Sequence, residues 1–417
     1  MKRLHCLAAV LFLLLASCGT PEPPLPSDPS PSDPNEPVLT KRNITLTVWE
    51  SEAALPFIEE AADEFSKRYP NISVRAVAVE PEEAAAGFRD AESANLSSLS
   101  SASQPDLFAV PHTDIRRLAE NLDILPARNQ EKARSSSQLA CVRGATVNGI
   151  IYGYPVAAST LALFYNREVV KEPPGTWSGL ASFSASFEGT YGFILPVGSA
   201  YHVLPFTTLG NNLLFGPSGE NAQNSFLQSP PAIAGMGTFA SLRAALDVPA
   251  AELTTEKSVS AFASGQAAIC VAGSWDVAAF TGIDYAVAPL PAFDDGGMGA
   301  TAPADIRVMV VSAWSEQPDE ASAFADFLLT EPMQRLRLSL TGEIPSVSFT
   351  AVSPPYAAGF IRQLENAFAT PTIPGADRFW SGFGFVASRI WDGADPAEQL
   401  SAFNASIVTP PVADGGS

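Results

Sequence analysis

At 417 residues the chain exceeds what one compact core organises, and it implies two domains with surplus at the ends. Hydrophobic side chains make up 46% and charged ones 16%, the balance of a folded protein and not of a disordered one. The formal charge is −20, or −22 (22 basic against 44 acidic residues) once Lys2 and Arg3 are lost with a leader, which excludes a nucleic-acid backbone or an anionic head group as partner.

Met1-Lys2-Arg3 is a short basic region, and Leu4–Leu15 is apolar but shorter than the roughly 20 residues that span a bilayer. Together they read as an export signal. The run ends Leu15-Ala16-Ser17-Cys18, which resembles the lipobox of bacterial lipoproteins. Residues 1–17 would then be removed and Cys18 would carry a lipid; ordinary secretion with a coincidental cysteine is the alternative. Residues 18–42 read as a tether. Within them Thr20–Pro37 holds eight prolines among Ser and Asp, prefers extended polyproline-like geometry and cannot pack a core. Cys141 and Cys270 remain in the mature chain, either paired in an oxidising compartment or present as small buried residues.

Ile44–Trp49 alternates and predicts a strand. From Pro56 the period changes: Phe57, Ile58, Ala61, Ala62, Phe65 and Tyr69 share a helical face, with Glu59, Glu60, Asp63, Glu64 and Lys67 opposite. Pro70-Asn71 ends that helix and Ile72–Val79 alternates again, a βαβ unit whose strands run parallel through a right-handed crossover. Ala84–Gln104 reads as helix and then Ser-rich chain, Pro105–Val110 as a short strand, and Thr113 as the cap of a helix reaching Asn121. Further strands are predicted at Ile150–Val156, Leu161–Tyr165, Ala267–Ala272, Tyr285–Pro289 and Ile306–Ser312, and a helix end over Val259–Ser264. Asp319 is expected to cap a helix that buries Ala321, Phe324, Ala325 and Leu328, with a second helix running to Gly342. Tyr356–Phe368, Asp377–Trp391 and Pro396–Ile407 are helical. The class is α/β, without an internal repeat.

Catalytic constellations are missing from this pattern. His112 and His202 are the histidines left after processing, and neither has metal-ligand spacing. A nucleophile elbow, a phosphate-binding loop and a dinucleotide-binding glycine motif are all absent, so no cofactor or metal is expected. Carboxylates are plentiful enough to supply a glycosidase pair. Most fall on exposed helix faces or in the tether, however, and the chain reads as a non-enzyme.

One stretch points elsewhere. In AICVAGSWDVAAF, residues 268–280, the largest side chain follows a Gly-Ser turn instead of lying within the apolar run before it. TVWESEAALPFIEEAADEFSKRYPNISV, PDLFAVPHTDIRRLAENLDILP, VNGIIYGYPVAASTLALFYNRE, FASGQAAICVAGSWDV and IDYAVAPLP follow one another in an order that resembles the extracellular solute-binding proteins of bacterial carbohydrate ABC importers, the maltose/maltodextrin-binding group in particular. The resemblance runs from Ile44 to about Ile407. It implies two α/β lobes, each a mostly parallel sheet flanked by helices, joined by hinge strands and closing on a carbohydrate. Residues 43–156 with 306–352 would form the N-terminal lobe, and 157–305 with 353–410 the C-terminal lobe. A monomer tethered outside the cytoplasm, which hands its ligand to ABC permease subunits in the membrane, is implied as well.

Sugar rings carry C–H faces that pack on flat aromatics and edges that need hydrogen bonds. Carried over by position, Trp275 matches the stacking tryptophan after the family's Gly-Pro turn (Ser274 replaces the proline), Tyr201 a sugar-contacting aromatic, and Trp380 a second stacking tryptophan; core packing is the alternative for each. The polar positions depart from the maltose pattern. Val110, Thr113 and Asp114 stand where an aromatic and an Asp-Arg pair are usual, Ser159 and Ser199 where acids are usual, and Glu52-Ala53 in place of an Asp-Lys pair. Glu50, Glu52, Asp114, Asp276 and Asp305 are the candidate hydrogen-bonding groups, Asp114 equally well an acid stabilised by a helix N-terminus. The same architecture could take a polyamine, and an extracytoplasmic glycoside hydrolase or adhesin stands behind that.

Overall fold

Apolar side chains alternating with period two build the central sheet. In the computed structural model, which describes residues 39–87, 104–294, 297, 299–349 and 352–408, the strands are β1 (Ile44–Glu50), β2 (Ile72–Ala78), β3 (Leu107–Pro111), β4 (Thr146–Val147), β5 (Ile150–Ile151), β6 (Tyr154–Asn166), β7 (Tyr191–Ile194), β8 (Ala267–Gly273), β9 (Tyr285–Ala288), β10 (Ala302–Val311) and β11 (Ala367–Ala369). The leader, Cys18, the proline-rich tether through residue 38 and the Ser-rich segment 88–103 lie outside the described residues. The folded unit begins at Leu39, and Asn71 Nδ2 donates to the carbonyls of Thr40 and Arg42 at 2.6 and 3.0 Å.

The main sheet runs β2-β1-β3-β10-β6-β8-β7, with β11 on β10 and β9 on β6. The first βαβ unit is parallel as its sequence implies, and β1 pairs in parallel with both β2 and β3. Its helix, Leu55–Arg68, starts at a proline in the first turn and buries Phe57, Ile58, Ala61 and Phe65 against the sheet. β10 enters from the far end of the sequence and inserts antiparallel between β3 and β6, so the sheet as a whole is mixed.

β6 and β10 are the long elements that hold the two lobes together. β6, at 13 residues, pairs with β10 over Tyr154–Thr160 and with β8 and β9 over Leu161–Asn166. The sequence predicts strands at Ile150–Val156 and Leu161–Tyr165; Ile150–Ile151 instead forms β5 against β4, and from Tyr154 the rest of the first runs on into the second. They join because Ala157–Thr160, whose small side chains interrupt the apolar alternation, still continue the backbone ladder against β10. β10 likewise starts at Ala302, ahead of the expected Ile306.

Along one edge of β10 two strands approach each other head to head. β3 runs antiparallel and ends with Pro111 opposite Arg307, while β11 runs parallel and ends with Ala369 opposite Ala304. His112 and Thr370 are the next residues of each strand, and they meet across the gap.

Two expected caps fall differently. Thr113 lies inside a 3-10 turn, His112–Asp114, that leads into helix Ile115–Glu120, because the backbone is already turning after Pro111. Asp319 occupies the first turn of helix Pro318–Leu328, whose N-cap residue is Gln317. Cys141 and Cys270 are buried free thiols.

Candidate functional site

Trp275 stands at the end of β8, a strand buried along its whole length. Gly273 closes that strand and begins the 3-10 turn Ser274–Phe280, and its N–H donates to Asp276 Oδ2 at 2.9 Å. The indole folds back over the Gly273 backbone: a Cβ there would lie 2.1 Å from Trp275 Cε2. A glycine is thus required beneath the ring. Trp275 remains 48% exposed, so the strand and turn present an aromatic face to solvent instead of burying it.

Tyr201 lies on the short helix Ala200–Val203, and its ring sits between both tryptophans. It meets Trp275 edge-on, with centroids 5.5 Å apart at 76°, and Trp380 at 5.9 Å and 32°. Trp380 comes from helix Pro374–Trp391, with Phe379 buried beside it. That helix reaches Tyr201's segment because Gly384, one turn after Trp380, packs against the Gly198 carbonyl; a Cβ at 384 would lie 2.0 Å from that oxygen. Three aromatics, 201, 275 and 380, thereby converge from three distant parts of the chain.

The polar candidates divide. Asp305 is exposed on β10, paired in register with Ser159 of β6, and both line the same cleft as Glu82, Arg307 and Glu343. The Tyr201 hydroxyl donates to the Pro303 carbonyl at 3.2 Å, on the same strand as Asp305. Burial, and then the adjacent Asp305 carboxylate, push the tyrosine's pKa well above its usual value of 10.0. Thr370 Oγ1 donates to Asp305 Oδ1 at 2.7 Å.

Glu50, by contrast, is fully buried, and both its oxygens are engaged. Oε1 accepts from the Ser51 N–H at 3.0 Å and from Arg307 at 2.9 Å, and Oε2 accepts from Arg337 at 3.1 Å. Its place is in a buried ion-pair network completed by Glu343. Asp114 pairs with Arg117 at 2.8 Å. Asp276 works locally as the group that holds the Trp275 turn, with burial raising its pKa. Glu52 is exposed in the turn after β1, where its N–H donates to Glu80.

Sequence reasoning passed over Arg307, Glu343 and the His112–Thr370 pair. Arg307 had a visible signal, since Asp305 and Arg307 alternate along an apolar strand and so face one side. Thr370 had none, because its partners are 65 and 258 residues away. His112 accepts from the Ile306 N–H at Nδ1 (3.2 Å), which puts its proton on Nε2, facing the Thr370 carbonyl (3.0 Å) and hydroxyl (3.1 Å). Burial lowers its pKa against the opposing pull of Asp305. Among the described residues no group of three His, Cys, Asp or Glu side chains could hold a metal ion.

Two lobes spanned by common strands, with an aromatic cluster and a polar strand pair at the crossing, define a two-lobe solute-binding fold. The chain belongs to the bacterial extracellular solute-binding protein family, whose model matches residues 60–359. It is 27% identical to the maltotriose-binding protein of Pyrococcus abyssi over 67% of its own length and 64% of that protein's. It is 23% identical to the galactooligosaccharide-binding protein of Bacillus subtilis over 94% of its length and 93% of the relative's. A maltooligosaccharide ABC transporter solute-binding lipoprotein of Streptococcus pneumoniae is 24% identical over 88% of this chain and 86% of that one. The fold matches a cyclo/maltodextrin-binding protein complexed with maltotetraose at a TM-score of 0.78 and 22% identity, over 91% of this chain and 100% of that one. It also matches the maltose-binding periplasmic protein MalE of Listeria monocytogenes at 0.74 and 19%, over 89% and 99%. These relatives are named for binding and none for catalysis.

Proposed function

We propose that this protein captures a sugar or oligosaccharide, maltodextrin-like in the first instance, between its two lobes and delivers it to the permease of an ABC importer. Residues 43–156 with 306–352 and 157–305 with 353–410 are the lobes that close, and β6 and β10 are the strands about which they turn. A lipid on Cys18 tethers the chain outside the cytoplasm. The observation that carries the reading is the convergence of Trp275, Tyr201 and Trp380 beside Asp305, since flat apolar faces next to a hydrogen-bond acceptor are what a saccharide needs. The reading involves no catalysis: Glu50 and Glu343 are held by arginines and Asp276 caps a turn, so these three carboxylates have structural work. The ligand names of the relatives support the sugar, and Trp275 and Trp380 are the proposed stacking surfaces.

A thermal-shift and calorimetric screen over malto- and galacto-oligosaccharides tests this. A ligand at about 100 times its Kd stabilises the folded state by about 2.7 kcal/mol, a readily measured shift. Binding should be weakened by Trp275→Ala and Trp380→Ala. Silence towards every saccharide at millimolar concentration would sink the proposal.

A further inference from the structure

We infer that Asp305 is the polar anchor of the sugar site, and that Thr370 and His112 are positioning residues that fix its carboxylate; the inference rests on the sugar capture proposed above. Asp305 is an exposed acid in the cleft, and an exposed carboxylate that rotates freely loses entropy on binding a hydroxyl. This one is oriented in advance. The Ile306 N–H donates to His112 Nδ1, which places the imidazole proton on Nε2. That proton points at Thr370, 3.0 Å from its carbonyl and 3.1 Å from its hydroxyl oxygen. A hydroxyl oxygen facing an N–H turns its own proton away, and the Thr370 proton goes to Asp305 Oδ1 at 2.7 Å.

The direction of donation is therefore one-way, from the β10 backbone through His112 and Thr370 to the acid. The far end is an acceptor-only carboxylate on an exposed residue that lines the cleft, close enough to the Tyr201 hydroxyl to raise its pKa. Arg307, two residues on, does not neutralise it, being committed to Glu50 at 2.9 Å and Glu343 at 3.4 Å. Ser159, across the strand pair from Asp305, lines the same cleft with a small side chain. A saccharide that stacks on the aromatics would donate a hydroxyl proton to Asp305 in a charge-assisted hydrogen bond, and His112, although out of contact with the sugar, would set the strength of that bond.

The test is a double-mutant cycle read by calorimetry with maltotriose, and with galactotriose as a second probe. Asp305→Asn should weaken binding about 10- to 100-fold and Thr370→Val about 5- to 10-fold, with Thr370→Ser restoring near wild-type affinity. In the Asp305→Asn background, Thr370→Val should cost little more, an outcome that a merely structural role for Thr370 would not produce. Additive losses, or unchanged affinity in Thr370→Val, would overturn the inference while leaving sugar capture intact. Failure of the wild-type chain to bind either sugar would defeat both. Nitrogen-15 NMR of the His112 ring provides a sugar-free check: a proton on Nδ1 would also overturn the assignment.

Discussion

A tryptophan resting on a glycine is the smallest unit of this site, and it makes a prediction of its own. Gly273→Ala should lift the Trp275 indole from its seat, shift its fluorescence emission to the red and weaken sugar binding about 10-fold or more. Melting should change far less, since the ring is half outside the core. Unchanged emission would show that the indole is not held by close approach to Gly273. His202 gives a second prediction at this scale. It is buried with Nδ1 2.8 Å from Ser199 Oγ, and burial pushes its pKa from 6.5 down to about 4. A base kept neutral when folded contributes its full stability above pH 6.5, loses it as pH falls towards 4, and changes nothing further below that. The difference amounts to about 3 kcal/mol. Replacing it by His202→Asn should flatten the dependence of melting temperature on pH across that window, and parallel profiles for the two proteins would refute the assignment. The aromatic trio was legible in the sequence because tryptophan and tyrosine are scarce in this chain and each stood in a quotable motif. The acids were harder to tell apart: Asp305 stood beside Glu50, Glu52, Asp114 and Asp276 as candidates among 44 acidic residues, and burial decides between them. Glu50, one residue past Trp49 in an alternating strand, looked like a cleft group and is instead locked behind two arginines.

Among the elements, the network that joins β1, β10 and helix Glu331–Thr341 shows how context sets the value of a charge. Arg337 is buried, bonds Glu50 and Glu343, and lies over the Phe57 ring at 5.1 Å. Taking away one partner leaves a buried acid uncompensated, so Arg337→Met should destabilise the fold by about 3–5 kcal/mol in urea titration. Arg167→Ala, which breaks an exposed pair with Asp284, should be nearly silent in the same assay. Equal effects would mean that burial does not govern these pairs. Periodicity revealed β1, β2, β3, β8 and β9 and the helices Pro374–Trp391 and Pro396–Val408, but the helix expected over Tyr356–Phe368 stops at Leu364, and Ala367–Ala369 pairs with β10 as β11 instead. Periodicity also divided β6, because Ala157–Thr160 sit where the strand passes from one set of partners to another and backbone pairing, not an apolar face, keeps the chain extended.

For the molecule as a whole, the proposed function requires closure on a ligand. Helix Ile115–Glu120 and the loop that contains Glu220 are joined by the Arg116–Glu220 ion pair, while His112, Thr370 and β10 are knit together at the crossing. A saturating sugar should reduce the radius of gyration measured by small-angle scattering, and Trp275→Ala should abolish that change at the same sugar concentration. Compaction that persists in the variant would place the ligand elsewhere.

The two cysteines have a practical consequence. Burial raises the Cys141 thiol to about 12 and the Cys270 thiol higher still, and neither is accessible in the folded chain. Alkylating reagents attack thiolates, so modification must wait until the helix Leu139–Gly144 or strand β8 opens. Mass spectrometry of each cysteine against time therefore turns the native chain into a pair of clocks for local opening, with no dye or added residue. A ligand that closes the lobes would slow both, and comparing the two rates would tell which part of the fold yields first.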